Sequence, residues 1–445
     1  MLVVDDKTMV LGGVAILLAL LSPIVNALIL KLKVEKSDIG DADAEETLSD
    51  SDISTTSSDN DSSSNEGSSS SDNDSSSNEG SASSDNDSSS SNEGSSLPVS
   101  DVSLPGISVV MTVDDEGEDL KKNLPQWLDQ SYGGKYQVIV VVSGNDPQVE
   151  SILKRYSGSP ALYTTFIPSS SRYMSRKKLA VTIGVKAARY DWVLLTDVDC
   201  YPEKPTFLDS ISRKSLSGDC QGDCQMVLGY SNFSSDAPSA RLFDNTYSLY
   251  RQLALSQRGR TAGYSGKVVL FRKAMFIDGK GYDGNLKYAR GEYEFLANKF
   301  STESNTLVFA SPDAMVIEDN LSHKGWTNKC LNYLAIRKTL RNSRLPRFTF
   351  NLGVVSMLSA NILLSALIAY SVIARLWILC GCAVFALLLS FVLRTVVLSI
   401  RLRPYLHGMS FVKLWWLEQT LPFRNCMRLL KYRFADKYDF ISHKL

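Results

Sequence analysis

The chain has 445 residues with 47 Lys and Arg against 48 Asp and Glu, a formal net charge of −1, and only three histidines. That near-zero balance hides a division. Residues 37–104 carry 17 of the acids and no Lys or Arg, leaving 31 acids against 47 basic residues elsewhere, or +16. The excess suits anionic lipid surfaces and phosphorylated substrates. The few histidines argue against His-based catalysis, and seven scattered cysteines form neither a disulfide framework nor a zinc knuckle.

Residues 8–30 hold no charge over 23 positions, enough to cross a bilayer. A cleaved signal peptide is the alternative, but Asp5 and Asp6 precede the run and no A-x-A site follows, which favours an uncleaved anchor over 1–36. Lys31, Lys33 and Lys36 place the chain that follows in the cytoplasm. Residues 37–104 are rich in Ser, Asn, Asp and Gly, with a unit near SDNDSSSNEGSSS starting at Ser58, Ser71 and Ser84. Such a segment has no face to bury and reads as a disordered acidic tether, spanning about 45 Å by chain statistics.

From 105 to about 345 the pattern is that of an α/β domain. Ile107–Val113 and Tyr136–Val142 are continuous apolar runs expected as buried strands. Helical spacing at Leu120, Leu124, Trp127 and Leu128 lies between them, and a helix near 149–156 and a strand near 161–167 follow. Lys177–Arg189 reads as a helix feeding the strand Trp192–Leu195. Strands alternating with helices predict a mostly parallel, Rossmann-like sheet. Asp197-Val-Asp199 directly follows the last of these strands, at the sheet edge where open α/β sheets bind ligands. Side chains at i and i+2 share a face, so the pair is a candidate for holding Mg²⁺ or Mn²⁺ with a substrate diphosphate; a solvated turn is the alternative. Further on, Gly263-Tyr-Ser-Gly266 is either a sugar-binding wall or a hairpin turn. The loop Gly279–Gly284 is a candidate lid that lacks the GK[ST] of a phosphate loop.

The order strand, acidic turn, helix ending Gln130-Ser-Tyr132, VIVVV, RKKLAVTIGVKAA (176–188) and LLTDVDC (194–200) resembles glycosyltransferase family 2, with its GT-A fold. The membrane-attached members of Bacteroides-like bacteria look most similar. The resemblance implies that Asp197 contacts the nucleotide side and shares in metal binding, and that Asp199 ligates the metal bridging the donor's diphosphate. It implies that Lys178 lies near the nucleotide, and that Asp115, Glu116 and Ser143 lie near base and ribose. Asp115 and Ser143 depart from the family's usual Asn and Asp. Gly291-Glu-Tyr-Glu294 resembles the acceptor-side acidic motif, so Glu292 or Glu294 is the expected catalytic base, Glu292 by motif register. The Q-x-x-R-W of processive synthases is missing, which favours transfer of one sugar.

Two further apolar runs, Asn351–Ala374 and Leu376–Ile400, have basic residues at both outer ends. They predict a hairpin over 346–403 with both ends in the cytoplasm. Arg394, inside the second run, either snorkels or marks an earlier exit. Residues 404–445 mix aromatic and basic residues and are expected in the headgroup plane, with nucleic acid not a partner. The expectation is thus a multi-pass enzyme of the bacterial inner membrane with its catalytic domain in the cytoplasm. It would be metal-dependent, inverting, and would transfer one sugar from a nucleotide sugar to a lipid-linked or otherwise membrane-held glycan acceptor. The rivals are a processive polysaccharide synthase and a non-catalytic membrane scaffold that keeps the fold.

Overall fold

The computed structural model describes residues 6–32, 104–144, 146–167, 175–216, 224–259, 261, 263–319, 321–341, 344–406, 408–436 and 440. The acidic tether expected over 37–104 lies outside these residues, Leu104 apart.

Strand β1 (Ile107–Val113) is buried along its whole length, and β2 (Tyr136–Val142) is buried from its second residue on. Their continuous apolar runs therefore belong in the middle of a sheet covered on both faces. Helix α1 is Asp6–Ile29; α2 (Gly117–Leu128) follows β1, and α3 (Pro147–Arg155) follows β2. Asp146 caps α3 by accepting from the Gln148 amide at 2.9 Å. Then come β3 (Leu162–Phe166), α4 (Arg176–Ala187), β4 (Trp192–Leu195), β5 (Cys200–Pro202) and α5 (Phe207–Leu216). Next are β6 (Met226–Gly229), β7 (Ser231–Phe233), α6 (Ser239–Ser256), β8 (Val269–Arg272) and α7 (Lys273–Asp278). The domain closes with α8 (Glu292–Phe300), β9 (Thr306–Phe309), β10 (Val316–Glu318) and α9 (His323–Ile336).

Seven strands form one sheet in the order β3-β2-β1-β4-β8-β6-β9. Only β8 is antiparallel to its neighbours, β4 and β6. Strands β5, β10 and β7 form a second, small sheet beyond the carboxyl ends of the first. Gly184 explains how α4 lies so close to the main sheet, because a Cβ there would sit 2.5 Å from a methyl of Val110. That close approach fixes α4, and with it the residues at its amino end.

Helices α10 (Arg344–Ile373), α11 (Trp377–Leu402) and α12 (Phe411–Phe434) complete the chain. Among the described residues, three segments are long and apolar enough to cross a membrane: Thr8–Ile29, Asn351–Ile373 and Trp377–Tyr405. They pack together through small residues, Ala15 and Ala19 of α1 meeting Leu364 and Ala386. Helix α1 runs parallel to α11, since Ala15 packs by Ala386 and Ser22 by Arg394. The carboxyl end of α1 enters the α/β core through Leu30 and Leu32, as the end of α11 does through Leu398, Leu402 and Tyr405.

Arg394 neither snorkels nor marks an exit. Its guanidinium is 1% exposed and donates to Glu418 of α12 at 2.6 and 3.0 Å, to the Ser22 hydroxyl of α1 at 2.7 Å and to the Gly353 carbonyl of α10 at 3.4 Å. One buried cation thus joins all four helices. Helix α12 buries Leu414, Leu417 and Leu421 and binds α6 through Arg424 and Arg428 on Asp244. Its opposite face exposes Val412, Trp416, Phe423, Met427, Leu430 and Phe434, within one 60° stripe at about 100° per residue.

Candidate functional site

A cavity of about 980 Å³ opens at the carboxyl ends of β1, β2 and β4, between the two sheets and α9. Its first wall is built by the main sheet. Glu116 and Asp114 follow β1, and Ser143 follows β2; the Ser143 hydroxyl donates to Asp114 at 2.9 Å. Of the nucleotide-side residues expected from sequence, Glu116, Ser143 and Asp197 line the cavity. Asp115 is exposed and is not part of that lining.

Asp197 and Asp199 stand where β4 ends. Helix α2 braces their turn from behind, Asn123 donating to the Val198 carbonyl and Trp127 to the Cys200 carbonyl, each at 2.9 Å. Asp197 is buried and paired with two ammonium groups, Lys177 at 2.7 Å on one oxygen and Lys267 on the other. Burial alone would raise its pKa, but the two lysines reverse this and hold the carboxyl well below the usual range. Lys267 is pushed well up: burial opposes its charge, and Asp197, Asp199 and Glu318 more than restore it.

Asp199 is half-buried, and among the described residues no cation pairs with it. Asp119 lies in the same acidic corner, and its pKa is raised first by burial, then by Asp199, Asp319 and Glu116. A carboxyl raised by neighbouring carboxylates marks a corner that favours an added cation. Among the described residues, no three His, Cys, Asp or Glu side chains form a ready-made metal cage. One or two carboxylates, with the rest of the shell supplied by substrate phosphates and water, is the usual way Mg²⁺ is held. Asp199 fits that role, whereas Asp197 is already occupied by lysines.

Lys178 departs from expectation. It is not part of the cavity wall; its ammonium is fully buried and donates to the carbonyls of Asn285, Tyr288 and Arg290 at 3.0, 2.6 and 3.1 Å. Burial lowers its pKa to about 8 against the pull of Glu292 and Glu294. The neighbouring Lys177 faces the cavity instead. One residue on a helix turns the side chain by about 100°, and sequence spacing alone gave no way to choose between them.

The opposite wall carries the acceptor-side acids. Lys178 ties down 285–290, and Gly291 then adopts φ +99° as the N-cap of α8. Glu292 and Glu294 follow in the first turn, both on the cavity wall. Glu292 is 4% exposed with one carboxylate oxygen lacking any hydrogen-bond partner. Glu294 is raised to about 7, first by burial and then by Glu292, while Lys267 and Lys329 oppose the shift. The 263–266 segment lines the cavity through Ser265 and Gly266. Residues 279–284, the candidate lid, do not line it, and Lys299 binds the Gly281 carbonyl at 2.8 Å. Lys267, Lys329, Glu318 and Asp319, all on the wall, went unnoticed as site residues because three of them come from the small sheet and α9, which fold onto the main sheet from far along the chain.

Residues 108–279 match the model of glycosyl transferase family 2, so the chain carries a glycosyltransferase domain of that family. Among solved structures, it is similar to the mannosyltransferase PcManGT of Pyrobaculum calidifontis in complex with GDP-Man and Mn²⁺, at 15% identity and a TM-score of 0.41, over 66% of this chain and 88% of that one. It is also similar to S. aureus TarS 1-349 in complex with UDP-GlcNAc, at 13% identity and a TM-score of 0.37, over 72% and 92%. No curated protein matches.

Proposed function

We propose that this glycosyltransferase moves a single sugar from a nucleotide-sugar donor to a membrane-held glycan acceptor, with inversion at the anomeric carbon. The observation that carries the reading is one cavity in which the Asp197–Asp199 turn faces two acceptor-side carboxylates, Glu292 and Glu294. Nucleotide and ribose lie along Glu116 and Ser143, and the sugar lies toward Ser265 and Gly266. In an inverting transfer the acceptor hydroxyl attacks the anomeric carbon while the bond to the nucleoside diphosphate breaks. Glu294 takes the hydroxyl proton, because a base poised near neutral pH is the efficient one. Glu292, beside it on the same wall, helps hold the Glu294 carboxyl near neutral pH. Lys178 acts as a positioning residue, holding the loop from which Glu292 and Glu294 start. Asp199 would hold a Mg²⁺ or Mn²⁺ ion whose charge offsets that of the departing diphosphate.

Membrane attachment is supported by three helices long and apolar enough to cross a bilayer, two of which reach into the core of the catalytic domain. A cytoplasmic domain is the reading that the Lys and Arg residues flanking these spans support, Lys31 after the first, Arg341 and Arg344 before the second and Arg401 and Arg403 closing the third. A bacterial inner membrane is the matching location. The exposed apolar stripe of α12 lies in the headgroup plane.

The test is nucleoside-diphosphate release by detergent-solubilised full chain, given a panel of nucleotide sugars, Mn²⁺ or Mg²⁺ and a membrane glycolipid extract. Release with one donor, lost in Asp199→Ala and with chelator, is the expected result, with a product longer by one sugar. A ladder of products would move the reading to a processive synthase. No release and no donor binding would move it to a scaffold.

A further inference from the structure

The acceptor-side acids follow a loop, 285–290, whose carbonyls are held by α4. Lys178 takes those of Asn285, Tyr288 and Arg290, and the Ser175 hydroxyl at the amino end of the same helix donates to that of Ala289 at 2.9 Å. The Ala289 amide is held from elsewhere. It donates at 3.1 Å to the carbonyl of Phe440, far along the chain. Ala289 and Arg290 both line the cavity, and Gly291 after them, at φ +99°, has no Cβ to fix the direction of α8. The aim of Glu292 and Glu294 into the cavity therefore depends on how firmly 285–290 is held.

One backbone hydrogen bond does not by itself keep a chain segment in place, because ordering the segment costs more than the bond returns. Phe440 has a second hold through its ring. That ring lies 5.9 Å from the ring of Tyr432, in the last turn of α12, and the Lys338 ammonium, just beyond α9, stands 4.3 Å over the same tyrosine. Both arrangements are attractive. Helix α12 is in turn fixed on the domain by Arg424 and Arg428 on Asp244, and Arg428 lies 5.5 Å from the Trp326 ring of α9. A line of contacts thus runs from α12 through Tyr432, Phe440 and Ala289 to the first turn of α8. We infer that Tyr432 and Phe440 are positioning residues for the transfer, holding the loop that aims Glu292 and Glu294. The donor side of the cavity is built on β1, β2 and β4 and stands without them. The inference rests on the reading of the two acids as the acceptor side of a transferase.

Amide hydrogen exchange of the full chain in detergent, followed by mass spectrometry of overlapping peptides, reads the loop directly. Exchange at the Ala289 amide should quicken about tenfold or more in Phe440→Ala and in Tyr432→Ala, with peptides covering β1 and β2 unchanged. In the same variants kcat for nucleoside-diphosphate release, with the membrane glycolipid extract as acceptor, should fall about tenfold, while the donor KM stays within about twofold. Tyr432→Phe keeps the ring and should keep both the protection and the rate. Should Tyr432→Ala fail to fold, Phe440→Ala, at a part-exposed site, still decides the matter. Unchanged exchange at Ala289 in Phe440→Ala overturns the inference, and so does faster exchange there with kcat intact. Exchange that quickens equally in β1 and β2 also overturns it, since the two rings would then support the fold at large. Ala289 exchange that quickens as expected, in a chain that releases no nucleoside diphosphate from any donor, sinks the transferase reading and leaves the tie between α12 and the acids standing.

Discussion

Glu294→Gln is the most informative single change, because it tests the assignment of the base through a pH profile as well as through a rate. In the folded protein the carboxyl is raised from 4.5 to about 7 by burial and by Glu292. A base must be ionised, so turnover in the unaltered enzyme should rise about tenfold per pH unit below 7 and level off above 8. Removing the base should cost about 10²- to 10⁴-fold at pH 8 and abolish the rising limb. Glu292→Gln removes the neighbouring negative charge and should move the limb to lower pH, with a smaller loss of rate. The stability effect has its own sign. A carboxyl with a raised folded pKa stabilises the fold fully below the unfolded value near 4.5, and that contribution is lost as pH rises through about 7. Melting temperature should therefore fall across that window more in the unaltered protein than in Glu294→Gln. The assay is nucleoside-diphosphate release at saturating donor from pH 5.5 to 9, with thermal unfolding of the same samples. A limb that survives in Glu294→Gln refutes the reasoning and returns the role of base to Glu292, and one that moves upward in Glu292→Gln refutes the coupling of the two carboxylates.

Gly291→Ala should reduce turnover at least about tenfold, since φ +99° strains any Cβ and the new methyl would lie 2.8 Å from Ile336, displacing the first turn of α8; normal activity in this variant would show that the acids tolerate movement. Arg394→Leu leaves the Glu418 carboxylate buried without its partner and should destabilise by about 3–5 kcal/mol, whereas Arg394→Leu with Glu418→Leu should recover most of that. Additive losses in thermal unfolding would mean that the pair is not coupled. Ser22→Val should cost about 1 kcal/mol through one lost acceptor for Arg394. No change would show that α1 is a tether rather than part of the bundle.

The local elements were legible in the sequence because their causes are local. Continuous apolar runs could only be covered strands, so β1, β2 and β4 fall within the expected segments. The Asp197–Asp199 turn needed nothing beyond the strand before it, and 20 or more uncharged apolar residues define a span wherever they occur. What the sequence left open was decided by contacts between distant segments. Lys177 or Lys178 faces the cavity according to the phase of α4, which Gly184 sets by letting the helix settle on Val110. Lys267 becomes a partner of Asp197 only because β8 inserts next to β4, 70 residues later in the chain. Arg394 looked like a misplaced charge on an isolated helix; it is the junction of four helices, since Ser22, Gly353 and Glu418 supply its acceptors from opposite ends of the chain. Charge balance and periodicity are properties of a segment, whereas the partner of a buried charge is a property of the whole fold.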